Sequence, residues 1–195
     1  MNALGEKEQV HIVAYALDEL INRAINKLQA YVAFSDFYPQ RANMSMKDDW
    51  YALAHSSILE NLLVDIASMT DRAKHHTKES FDTNCNFREL RYVLTYCEND
   101  SQKYQSVIQE IDSFLNTYDN VVPDILRNKV LAHKDLDELF AWRDYNVNLI
   151  EITRFLIEGK KIISDTLEVK FGVHMIIPDF ESIKNKYVES LKKPL

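Results

Sequence analysis

The chain has 195 residues, enough for a single domain with a sizeable core, and its 46 % hydrophobic and 27 % charged content is that of a folded protein. Only three glycines occur, Gly5, Gly159 and Gly172, which argues against sheet-rich folds with tight turns and against glycine-rich phosphate loops. The formal net charge of −7 counts against a protein that coats nucleic acid electrostatically, though not against a locally basic site.

In chain order, Val10, Val13, Ala14, Leu17, Ile21, Ala24, Ile25, Leu28, Tyr31 and Val32 recur at helical spacing and predict an amphipathic helix over about residues 7–35. DFYPQRANMSM breaks it at Pro39. A second helix is expected from Met46, capped by Ser45, with the stripe Trp50, Leu53, Ala54, Ile58, Leu62, Ile66 and Met69. Beside that stripe Ser57, Asn61 and Asp65 form a polar row, read as a solvated flank. Residues 71–86 are polar and aperiodic, hence a loop, and FRELRYVLTYC (87–97) predicts a short helix. Ser101 caps the next, whose apolar face is Tyr104, Val107, Ile108, Ile111 and Leu115. Pro123 suits the first turn of a further helix carrying Ile125, Leu126 and Val130. From Leu136 a helical pattern runs for about thirty residues through Leu149, Ile152, Leu156 and Ile163. FGVHMIIPDF interrupts it, and SIKNKYVESLKK predicts a small closing helix. The expectation is an all-α protein: one antiparallel helical bundle over 1–195, with a core of about 7–167 and an extension of about 170–195.

The opening MNALGEKEQV is too charged for the apolar region of a signal peptide, and no apolar run approaches the roughly 20 residues that span a bilayer. Cys85 and Cys97 are too few for a disulfide scaffold and lack a metal-type spacing. A reduced, cytoplasmic setting is expected.

Several familiar chemistries fail on the residues. A di-iron bundle needs two Glu-x-x-His pairs, and only Glu8 with His11 has that spacing. Neither G-x-S-x-G nor H-E-x-x-H occurs. His75 and His76 are adjacent in a polar stretch, but side chains at i and i+1 diverge in most conformations. Asp48 and Asp49 suit the start of a helix, where acids face the dipole.

What remains is RNKVLAHKD, residues 127–135. In an acidic chain it gathers the cations Arg127, Lys129 and Lys134 against the single acid Asp135. Asn128 adds an amide that both donates and accepts, and His133 adds the side chain whose ordinary pKa suits proton transfer near neutrality. A bland account also fits. Lysine and histidine are favoured near helix C-termini, and His133 falls close to the line of Leu126 and Val130. Six residues of ideal helix turn through about 600°, so Arg127 and His133 point about 120° apart and sit roughly 9 Å apart along the axis. They act on one atom only if the helix loosens before His133, or if two copies of the motif face each other.

The string resembles the HEPN superfamily, whose pattern is an arginine followed by a polar residue and, after a short spacer, a histidine late in an all-helical bundle. Arg127, Asn128 and His133 match it. RNKVLAHKD, together with WYALAHSSILENLLVDIASMTDR at 50–72, is similar to the branch associated with bacterial abortive infection. The resemblance implies a dimeric, metal-independent endoribonuclease with no cofactor, in which two motifs form one cleft and RNA supplies its 2′-OH as nucleophile. It implies His133 as the proton-transfer group, Arg127 as the phosphate clamp, and Asn128, Lys129 and Lys134 as substrate-binding residues. It also implies a toxin or phage-defence role, with an antitoxin or other regulatory protein as a further partner. Some members carry a tyrosine two residues after the histidine, which a nucleotidyltransferase modifies; here that position is Asp135. Other members have lost catalysis and bind a nucleotide or a partner protein, which is the alternative expectation.

Overall fold

The computed structural model describes residues 6–37, 47–70, 86–96, 101–118, 121 and 148–179. Five α-helices account for most of them: α1 (Glu6–Phe37), α2 (Lys47–Thr70), α3 (Phe87–Tyr96), α4 (Gln105–Tyr118) and α5 (Leu149–Phe171). A 3-10 turn, Ser101–Tyr104, leads into α4. No strand occurs among the described residues, and the all-α class expected from glycine scarcity holds.

The helices pack as antiparallel neighbours around α1. Arg23 of α1 meets Asp65 of α2, and Tyr31 stacks on His55, so the two helices run in opposite directions. Asp18 pairs with Lys160 and His11 meets Phe171, which sets α5 antiparallel to α1 on another side. α3 and α4 run antiparallel through Arg91 with Asp112 and Phe87 with Phe114. Phe114 and Tyr118 then pack on Phe155 of α5. One apolar cluster joins all five helices, from Val10, Leu17 and Ile21 through Leu62, Ile66 and Leu90 to Ile111, Phe155 and Ile163.

Local chemistry explains the helix ends. Asn86 caps α3, its Oδ1 accepting from the Glu89 amide at 2.8 Å. Asn148 caps α5, accepting from the amides of Ile150 and Glu151 at 3.1 and 3.2 Å. At the other end Gly172 adopts φ 68°, a left-handed conformation that costs a residue with a Cβ, and its N–H closes on the Glu168 carbonyl at 2.7 Å. Gly159 has a packing role. A Cβ there would lie 3.0 Å from Phe87 Cζ and 3.1 Å from Ile21 Cδ1, so the missing side chain lets α3 and α1 close on α5.

Three expectations need correction. Ser101 opens the 3-10 turn rather than capping α4, with Tyr104 buried in that turn. Leu53 is 66 % exposed instead of lying in the α2 stripe. Nine residues of helix turn through about 900°, which puts Leu53 opposite Leu62. The buried line of α2 is Leu59, Leu62, Leu63, Ile66 and Met69. Asp65, read as solvated, is buried and doubly ion-paired. Of the expected loop over 71–86 only Asn86, the α3 cap, is described; the rest of it, the helix after Pro123 and the closing helix after residue 180 lie outside the described residues.

Candidate functional site

Arg127, Asn128, Lys129, His133 and Lys134 lie outside the described residues; what is described is the frame on either side of them. The chain leaves α4 at Tyr118, where the Val121 N–H donates to the Tyr118 carbonyl at 3.1 Å, and returns at the α5 cap Asn148. Lys161 of α5 pairs with Glu110 of α4 at 3.0 Å while Tyr118 packs on Phe155 at 5.4 Å, so the two helices are antiparallel and departure and return occur at one end of the pair. The frame there is well packed: Tyr118 and Phe155 are buried beside Phe114 and Phe87.

Tyr118 is the described ionisable group most affected by this setting. Burial pushes its hydroxyl up to about 12, assisted by a hydrogen bond to Glu158 and the charges of Glu158 and Glu151, with Arg154 opposing. At neutral pH it is a proton-bearing donor that anchors the α4 end, not a base.

Three other polar clusters have defined geometry. In the first, Asp65 of α2 accepts from Arg23 Nη2 at 2.8 Å, Arg23 Nε at 3.1 Å and Lys27 Nζ at 2.6 Å. Lys27 also donates to the Asn61 carbonyl at 3.1 Å. Bonding to Asp65 raises the Arg23 pKa above its ordinary value, so two cations hold one carboxylate across α1 and α2. The second joins α1 to α5. Lys160 donates to Asp18 Oδ1 and, at 3.0 Å, to Asn22 Oδ1, while Asn22 Nδ2 donates to Asp18 Oδ2 at 3.0 Å. Each carboxylate oxygen has a donor, and the cluster closes on itself.

The third combines Ser35, His55 and Tyr31. Ser35 Oγ donates to the Tyr31 carbonyl at 2.9 Å and lies 2.8 Å from His55 Nε2. His55 stacks on Tyr31 at 4.1 Å, and burial lowers its pKa, which keeps the ring neutral at physiological pH.

Sequence reading missed these clusters, although the second left a trace. Lys160 occupies the same helical line as Leu156, Ile163 and Leu167, and Asp18 sits beside Ala14 and Leu17. A charge at an apolar register marks a buried partner on a facing helix. His11, considered for its spacing from Glu8, packs its ring on Tyr15 at 4.3 Å and on Phe171 at 5.3 Å. Among the described residues no three His, Cys, Asp or Glu side chains come together as a metal site, and no helix is long and apolar enough to cross a membrane. No protein-family model, curated protein or solved structure matches the chain.

Proposed function

We propose that this protein is a metal-independent endoribonuclease of HEPN type, a toxin or phage-defence effector that acts on RNA as a homodimer. The observation that carries the proposal is the string Arg127-Asn128-x4-His133, a local reversal of charge in a chain of net −7. An all-helical bundle supports it, as does the position of the string late in the chain, between α4 and α5.

The reaction needs only what these side chains carry. The 2′-OH of a ribose attacks the adjacent phosphorus, forming the O2′–P bond as the P–O5′ bond breaks. His133 serves proton transfer, taking the 2′-OH proton and returning one to the departing O5′. Arg127 offers planar paired donors to the phosphorane oxygens, which carry more charge in the transition state than in the substrate. Asn128 orients the phosphate or the guanidinium, and Lys129 and Lys134 attract the strand. The products are a 2′,3′-cyclic phosphate and a 5′-hydroxyl.

The angular offset between Arg127 and His133 supports a cleft shared by two copies. Mixing Arg127→Ala with His133→Ala protein is then expected to restore part of the activity, because the shared cleft of the mixed dimer keeps one arginine and one histidine. The chemistry is tested with an RNA carrying 2′-O-methyl groups, which has no nucleophile and is expected to survive. Cleavage of the methylated strand would overturn this mechanism. Binding of a nucleotide or protein partner without cleavage of any RNA would favour the non-catalytic module.

A further inference from the structure

We draw no further inference here: the strongest candidate, the exposed apolar surface of Phe171, Val173, Ile176 and Ile177 at the end of α5 with Ile12 and Tyr15 at the start of α1, carries nothing because nothing in the structure shows what covers it.

Discussion

Replacing Lys160 with methionine is expected to destabilise the protein strongly, because it strands a buried carboxylate. Lys160 and Asp18 are 5 % and 8 % exposed, and Lys160 is the cationic partner of Asp18 in the seam between α1 and α5. Methionine keeps most of the apolar stem but leaves Asp18 Oδ1 without its ammonium donor; only the Asn22 amide, 3.0 Å from Oδ2, remains. Breaking a buried pair from one side costs about 3–5 kcal/mol, since the remaining charge keeps its desolvation penalty and loses its compensation. For a chain of this size that corresponds to a melting temperature lower by roughly 6–20 °C. The double variant Asp18→Leu/Lys160→Met removes both charges and should recover most of the loss, because a hydrophobic replacement of a buried pair is often neutral. The assay is urea unfolding followed by circular dichroism at pH 7, with both singles and the double forming a cycle. A Lys160→Met variant within about 1 kcal/mol of wild type would refute the reasoning. So would a double variant less stable than either single.

Two further outcomes follow from the same packing. Gly159→Ala places a Cβ against Phe87 Cζ and Ile21 Cδ1, and Phe87 cannot retreat because Phe114 and Phe155 enclose it. Overpacking should exceed the helix-propensity gain of about 1 kcal/mol and leave a net loss of about 1–2 kcal/mol in thermal melts, relieved in a Phe87→Leu background. His55 has a lowered pKa in the fold because burial disfavours its charged form. Its unfolded form therefore binds protons first, and its contribution is full above about pH 6.5 and lost as pH falls towards the folded value. His55→Phe, which keeps the stack on Tyr31, should flatten the fall in urea midpoint between pH 7.5 and pH 5; an unchanged slope would show that His55 does not carry it.

The fold class was legible because its signal is distributed. Ten apolar positions mark α1, and a handful mark each of α3 and α4, so one misread residue changes little. The end of α5 was legible in FGVHMIIPDF, which breaks the helical pattern where Gly172 closes the helix. Errors arose where a single residue decides. Leu53 fits a loose three-or-four spacing yet points away from Leu62 once the rotation is summed over nine positions. Asp65 looks like a surface acid because its partners, Arg23 and Lys27, are some forty residues away on another helix. Lys160 shows the same logic across α1 and α5. Pairing between helices depends on tertiary register, which local periodicity does not encode. The candidate site was legible as chemistry, by elimination and by resemblance, but not as geometry. Arg127 and His133 converge only if their backbone or a second copy brings them together, and neither is written in a nine-residue string.

The most direct test of the account incubates purified protein with RNA in excess EDTA, beside Arg127→Ala and His133→Ala proteins that melt with the wild type. The account predicts cleavage by wild type without metal, products ending in 2′,3′-cyclic phosphate, and loss of cleavage in both variants. Cleavage that persists in either variant, or that disappears with EDTA, would contradict it.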